Sequence, residues 1–563
     1  MRRLSLLVHT VRHLRMTQMV SRAARVARMR RWSLLRTTAP MVSGAVRNPE
    51  FRSTWTGHSE TPRAIDIANG RFEFLGVARE QPSWDQRDVS QLWRYHLHYF
   101  DYAAGLEFPT FRRLAKSWID GNRRLAGDGW HPYTVSLRIV NWCEAGAFFA
   151  ASLDADRAFD AEFHASLYGQ VRFLAANLET DVGGNHLIKN LRGLLWASAY
   201  FSGAEARRWR ALALSHLRRE IAEQVLSDGG HFERVPAYHV QVLEDLRSCS
   251  ELLARHGDRQ PWLDEVVPAM EGFLRAILPP NGRLPLIKDT TLEAGAANFA
   301  VPSQASRFLP HSGFAVMRQD DRGEHLIADF GIPCPDHLPA HAHADLFSYE
   351  LTVGGKPLIV DSGVYEYAAG QWRDWFRSTA AHNTVEVAGA NQSEVWGSFR
   401  VARRARPSGV RWIGQNGMQI IQGQHDGYRR LSPPVWHRRT IVAFPGTWII
   451  IDELLGEGIT RASSRIHLHP DRSVDELHLA TFGGEVRHER GWYSERFGAK
   501  RENDVVVLET AGAMPLLFGY CVSESNSVTL SARIDGGTPV VAVRGGLQRS
   551  IILRSDGPPR VEQ

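Results

Sequence analysis

The feature that most constrains this chain is a change of hydrophobic period at Pro279-Pro280-Asn281-Gly282. From about residue 95 up to that turn, apolar residues recur at three- and four-residue steps, the period of a helix with one buried face. Segments near 109–126, 136–153, 157–178, 185–202, 205–226, 235–256 and 262–277 carry this pattern, separated by turns such as GDGWHP, DVGG and SDGGH. Short links between such helices imply antiparallel neighbours. Beyond the turn come short strands: HLIADF, FSYELTV, PLIV, NTVEV, RTIVAF, TWIIID, VVVLE, VTLSARI, VVAV and SIILR, bounded by Gly, Pro and Asp clusters. Helices first and strands afterwards predict an α+β chain, an all-α half followed by an antiparallel sandwich.

A length of 563 residues calls for more than one core. The expected division is a basic segment (1–40), a connecting segment rich in polar residues, Pro and Gly (41–90), a helical domain (91–300) and a β domain (301–563). No uninterrupted apolar stretch approaches the ~18–20 residues of a membrane-spanning helix. The four cysteines, Cys143, Cys249, Cys334 and Cys521, are too scattered for a disulfide framework or a zinc knuckle, and read as isolated buried thiols. Seventeen tryptophans are many for this length; ring faces suit sugar C–H surfaces as well as a core.

The net charge of +6 is unevenly distributed. Residues 1–40 contain ten arginines, no lysine and no acidic residue, and removing those ten charges leaves the rest of the chain at −4. The overall charge therefore gives no argument for nucleic acid as a partner. Within the same forty residues, Leu4, Leu7, Val8, Val11 and Leu14, then Met16, Met19, Val20 and Ala23, follow helical spacing. Arg12 and Arg15 interrupt the apolar core that a cleavable signal peptide needs, so the sequence by itself points to a cytoplasmic or membrane-peripheral location. Two readings of this basic amphipathic helix stand: peripheral contact with an anionic membrane surface, or docking on its own protein with solvated arginines.

Three clusters carry candidate chemistry. In GGNHLIKNLR (183–192), Asn185, Lys189 and Arg192 fall on one helix face, where an amide and two cations can meet an anion near the helix N-terminus; a capping Asn with a solvated basic stripe fits as well. In DGGHFERVPAYH (228–239), a Gly-Gly turn is crowded with titratable groups, and Pro236 suits the first turn of a helix that would hold Tyr238. A tyrosine acting as base needs its ordinary pKa of ~10 lowered, and Arg234 or Lys189 can supply the positive field. Packing of Tyr238 between helices is the alternative. In HLPAHAHAD (337–345), an extended backbone would set His341, His343 and Asp345 on one face; with Asp361 after PLIV and His382 in AHNTV, histidines and an aspartate from neighbouring strands make a set for Zn²⁺.

The chain resembles the heparinase II/III-like polysaccharide lyases, which are themselves similar to certain alginate lyases. The resemblance runs through LWRYHLHYFDY (93–103), HPYTVSLRIVNW (131–142), HAHADLFSYELTVGGKPLIVDSGVYEY (341–367) and RSTAAHNTVEV (377–387). It implies an incomplete α/α toroid joined to an antiparallel β-sandwich, and β-elimination at a uronic acid. That reaction removes a weakly acidic C5 proton, so it needs the neighbouring carboxylate neutralised, a base, and an acid at the leaving C4 oxygen. By the resemblance, Asn185, with adjacent His186, is the neutraliser, and Tyr238 and His341 are the acid/base pair. His343, Asp361 and His382 would hold a structural zinc. Glu233, Arg234 and Arg377, with Lys189 and Arg192, are candidates for contacts to an acidic polysaccharide. The family's secreted members imply a periplasmic site; a first segment that does not read as a signal peptide fits better with bacterial exopolysaccharide or capsule processing than with scavenging. Three alternatives compete: a glycoside hydrolase, which needs a carboxylate pair and finds only Glu233 in the helical half, a non-catalytic polysaccharide-binding or assembly protein, and a metal-dependent hydrolase.

Overall fold

A computed structural model describes residues 2–34, 46–55, 62–294, 305–415, 417–525, 527–536, 538–545, 548–554 and 557–562. The expected domain limits at 40 and 300 lie outside the described residues. The chain forms two compact units: one of residues 14–224 and 241–268, the other of 1–13, 225–240 and 269–563.

The first unit is helical. The expected helices appear as Phe108–Gly121, Pro132–Phe148, Arg157–Ala176, Gly184–Tyr200 and Ala204–Gln224, while Pro236–Arg255 and Pro261–Ile277 contribute residues to both units. The helix Pro132–Phe148 packs on Gly184–Tyr200, which in turn packs on Ala204–Gln224. Gly193 permits the first contact: a Cβ there would lie 3.1 Å from the Ser136 carbonyl oxygen and 3.2 Å from the Leu174 side chain. Glycine inside a helix is tolerated here because two backbones approach closely. Some elements of this unit had no expectation attached. Gln91–Tyr99 is a helix whose N-cap, Ser90, accepts the Trp93 backbone N–H, and Arg71–Phe74 pairs with Val77–Glu80 as a hairpin inside the segment expected to be a connector.

The second unit is built of antiparallel sheets. A five-stranded sheet runs in order Arg307–Leu309, Phe314–Gln319, Glu324–Asp329, Tyr349–Val353, Lys356–Ile359. A six-stranded sheet runs Pro407–Gln415, Met418–Tyr428, Val435–Phe444, Thr447–Gly456, Leu516–Ser523, Ala480–Phe482. The strand Thr447–Gly456 explains its own sequence: Trp448 and Ile450 enter one core with Ala315, Leu326 and Leu351 of the five-stranded sheet, whereas Ile449 and Ile451 enter another with Val541 and Ile551. A strand buried on both faces is apolar at every position. All four cysteines are free and buried, as expected.

Buried charge fixes the loops between strands. Arg439 binds Asp452 through Nε and Nη2 at 2.7 and 2.9 Å, and its Nη1 donates to the carbonyls of Phe347 and Asn383 at 2.9 and 2.6 Å. Asn383 donates to the Tyr349 and Val360 carbonyls and accepts the His467 N–H. Together they tie down the segment just after His382 and the one just after Asp345. The architecture, helices followed by antiparallel sheets, is the expected one.

Candidate active site

The turn 228–239 belongs to the β-containing unit, and its glycines are obligatory. Gly229 has φ +83°, and a Cβ would sit 2.3 Å from the Ala269 carbonyl oxygen. Asp228 accepts the backbone N–H groups of His311 and Ser312 at 3.0 and 2.7 Å. Arg234, at φ +56°, donates to the carbonyls of Phe232, His311 and Ser312. Its guanidinium thus braces the turn. Pro236 opens the helix, as expected, and Tyr238 lies in that helix's first turn.

Tyr238 stacks on His341, with ring centroids 3.9 Å apart and planes at 28°, and its hydroxyl is 2.9 Å from that of Tyr367. His341 Nδ1 lies 2.9 Å from Asp289 Oδ2, and His343 Nε2 lies 2.8 Å from Asp289 Oδ1. Arg373 binds both oxygens of the same carboxylate and lies over the Tyr367 ring, 5.0 Å from its centroid. Burial alone would raise the Asp289 pKa, but the Arg373 guanidinium and the two imidazoles hold it well below the usual carboxylate range. An ionised carboxylate only accepts hydrogen bonds. The protons of the two imidazoles are therefore on His341 Nδ1 and His343 Nε2. For neutral His341 this leaves Nε2, 3.8 Å from Glu233 Oε2, as the nitrogen able to take up a proton.

His341, His343 and Asp345 do not lie on a strand, as the alternation suggested. Residues 339–346 form an irregular loop. Arg377, expected at the substrate, holds this loop instead: fully buried, it donates to the carbonyls of Ala342, Gly397, Ser398 and Arg400. Burial lowers its pKa to about 9.

The residues expected to hold zinc are His343, Asp361 and His382. His382 Nδ1 is 2.8 Å from Asp361 Oδ2, and the Asp361 Oδ1 accepts the Gly363 N–H. Asp361 thus stands behind His382 and orients it. The two imidazoles lie 5.2 Å apart between centroids, and their remaining nitrogens, His343 Nδ1 and His382 Nε2, are buried with no hydrogen-bond partner. Both carboxyl oxygens of Asp345 are also buried without one. Imidazoles held by a carboxylate on one nitrogen and bare on the other have the form of metal ligands. Among the described residues, however, no three His, Cys, Asp or Glu side chains converge as a cage. Asp345, in the same buried loop as His343, lies 4.0 Å from Lys288 Nζ, so what the side chains offer zinc is two bare histidine nitrogens rather than an assembled cage.

The other candidates lie in the helical unit. The glycine turn ends with Gly183 at φ +70° as N-cap, so Asn185 is not the cap; its amide donates to Gln241 Oε1 at 3.0 Å, and Gln241 Nε2 donates to the Tyr133 hydroxyl. His186 Nδ1 is 3.1 Å from the buried Glu179 carboxylate, which also receives Asn190. Against the effect of burial, His186 and His131 pull Glu179 down to about 2. Lys189 and Arg192 are turned to the neighbouring helix: Lys189 Nζ is 2.7 Å from Asp245 and Arg192 Nε donates to Ser248 at 3.0 Å. The expected basic stripe is the cationic side of a helix–helix seam.

Sequence reasoning did not single out Asp289, Tyr367 or Arg373, which complete the environment of Tyr238 and His341. Tyr367 ends the stretch DSGVYEY, and that motif was the available signal; LIKDTT and QWRDWF carry none.

Comparison with known proteins bears on the family and the fold. The family model "Heparinase II/III N-terminus" matches residues 102–312, and "Heparinase II/III-like, C-terminal" matches 301–531. A heparin-sulfate lyase of Bacteroides stercoris is 24% identical over 400 residues, 64% of this chain and 57% of the lyase. The chain thus spans less than two thirds of that lyase's length. FtsZ-localized protein C of Caulobacter vibrioides is 25% identical over 460 residues, 73% of this chain and 77% of that protein. The crystal structure of heparinase III superposes with a TM-score of 0.71 at 17% identity, covering 96% of this chain and 95% of that one, which shows a shared fold. With both family models matched and the fold in common, the chain belongs to the heparinase II/III-like family.

Proposed function

We propose that the protein is a polysaccharide lyase that cleaves a uronate-containing polymer by β-elimination. The observation that carries this is the stacked Tyr238–His341 pair, with His341 fixed in one tautomer by Asp289. The reaction takes a proton from C5 and returns one to the C4 oxygen, and two adjacent groups able to exchange protons meet that need. The Tyr238 hydroxyl has a second hydroxyl, that of Tyr367, within hydrogen-bond distance. The neutralising role that the resemblance gives Asn185, with His186, is part of the proposal and is tested by their own substitutions. Zinc on His343 and His382, when bound, would supply structural support behind the His341 loop. Arg234, Arg377, Lys189 and Arg192 have intramolecular partners and are given no substrate role; Glu233 faces His341.

The test is absorbance near 232 nm while the protein is incubated with heparan sulfate, hyaluronan, alginate and bacterial exopolysaccharides. Elimination leaves a conjugated double bond and the signal rises. New reducing ends without that signal would mean hydrolysis. A second reading rests on the match to FtsZ-localized protein C, whose name gives a location and no reaction: the fold used to bind without cleaving. Polymer binding by the parent protein with no product on any uronate polymer would favour it.

A further inference from the structure

The first helix, Arg2–Val11, has its amphipathicity turned inside out. Leu4, Leu7, Val8 and Val11 recur at helical steps and form one stripe. On a globular protein such a stripe faces the core. Here the four residues are 65, 46, 57 and 41% exposed. The polar side of the helix makes the contacts: Trp396 Nε1 donates to Thr10 Oγ1 at 3.1 Å, Arg403 Nη2 donates to Ser5 Oγ at 3.4 Å, and His13, just beyond the helix, lies 4.0 Å from Asp336.

The next helix, Met16–Leu34, belongs to the helical unit and shows the same inversion independently. Gln18 donates to the Asp181 carbonyl, and Arg25 makes a two-point pair with the Asp181 carboxylate at 2.7 and 2.8 Å. Met16 and Val20 are 70 and 65% exposed. In both helices hydrogen bonds and ion pairs engage polar side chains, while Leu4, Leu7, Val8, Val11, Met16 and Val20 are exposed among exposed arginines.

We propose that the first helix docks the protein on the surface of an anionic phospholipid bilayer. Leu4, Leu7, Val8 and Val11 would enter the boundary between headgroups and acyl chains, with the arginines on lipid phosphates. Charge selects this occupant. Ten arginines and no acidic residue in the first forty residues repel the same segment of a second copy and are complementary to an anionic headgroup layer. No described helix is long and apolar enough to cross a membrane, so the contact is with the surface. The proposal does not depend on the lyase reading.

The experiment is co-sedimentation of the full chain with vesicles of phosphatidylcholine alone and with about 30% phosphatidylglycerol, at about 0.1 and 0.5 M salt. The expected result is partition onto the anionic vesicles, weakened by salt, and weakened roughly tenfold or more by Leu7→Glu with Val8→Glu. Arg3→Gln with Arg12→Gln should weaken anionic binding without creating a preference for the neutral vesicles. The substituted side chains are solvent-facing, and an unchanged melting temperature verifies that the variants are folded. A parent protein that stays in the supernatant with anionic vesicles overturns the proposal. So does binding that the Glu variants leave intact, or a dimer in sedimentation velocity that those variants split, which would make the occupant a second copy.

Discussion

The Tyr238 ring lies face to face with the His341 imidazole, 3.9 Å between centroids, while its hydroxyl is within hydrogen-bond distance of Tyr367. A phenol stacked on an imidazole and hydrogen-bonded to a second phenol has a fixed orientation and a partner to share its proton. Removing the Tyr238 hydroxyl leaves the stack intact and abolishes one proton transfer. Tyr238→Phe should therefore lower kcat by about 10²–10⁴-fold with little change in melting temperature. Tyr367→Phe, one hydroxyl further away, should cost less. Steady-state rates at 232 nm check both, and near-parent turnover by Tyr238→Phe would rule out its proton-transfer role.

Asp289 is the second point of leverage. It binds Arg373 through both oxygens and also receives His341 and His343, all of them buried. Asp289→Asn would leave the guanidinium without its counter-charge in a dry site, at a cost of roughly 3–5 kcal/mol. It also frees the tautomer of His341, so turnover should fall as well. Denaturant unfolding measures the first effect; a loss under about 1 kcal/mol would show that Arg373 finds another partner.

The parts of this site legible in the sequence were those where chemistry concentrates along the chain. Tyr238 follows a glycine turn crowded with titratable groups, and His341 sits in a histidine-rich run within the most specific stretch of the resemblance. Asp289 was not legible: it lies some fifty residues before His341 in an unremarkable LIKDTT, and only tertiary folding makes it the anion under two histidines and an arginine. Lys189 and Arg192 show the reverse case. Their shared helix face was correctly read, but the partner face, Gln241, Asp245 and Ser248, repeats the spacing of Asn185, Lys189 and Arg192 on a second helix. Matching polar steps on two neighbouring helices were the available sign of a seam. The strands Ile459–His467 and Glu485–Arg496 escaped notice because arginine, glutamate, serine and threonine dominate them, and residues 485–490 are exposed at every position, so no apolar alternation marks them.

The bare nitrogens of His343 and His382 give a prediction about metal. The full chain prepared with zinc and then desalted should retain about one zinc per chain by elemental analysis. His343→Ala with His382→Ala should abolish retention, and chelation of the parent should lower its melting temperature. Zinc at background level in the parent, with a melting temperature insensitive to chelator, would mean that the two histidines serve packing alone.

His239 gives the pH prediction. Its Nδ1 accepts the His231 N–H at 3.2 Å and its Nε2 lies 3.0 Å from the Met270 carbonyl oxygen, so the neutral ring with hydrogen on Nε2 satisfies both partners. Burial lowers its pKa to about 4, against some opposition from the Met270 carbonyl. An unfolded chain titrates this histidine near 6.5. Because the folded value is the lower one, the unfolded state holds the extra proton between pH 6.5 and 4. The stabilisation is complete above pH 6.5, declines as the pH falls through that window and levels off below it, for a total of about 3 kcal/mol. His98 and His467, both lowered to about 3 by burial, act with the same sign and extend the window downward. Unfolding free energy measured from pH 7 to 4 should therefore decline steeply, and His239→Gln should reduce that slope by about one proton. In the folded protein the His239 ring signals should not titrate above about pH 5 by NMR; a midpoint near 6.5 would show that the ring is open to solvent and that the acid sensitivity originates elsewhere.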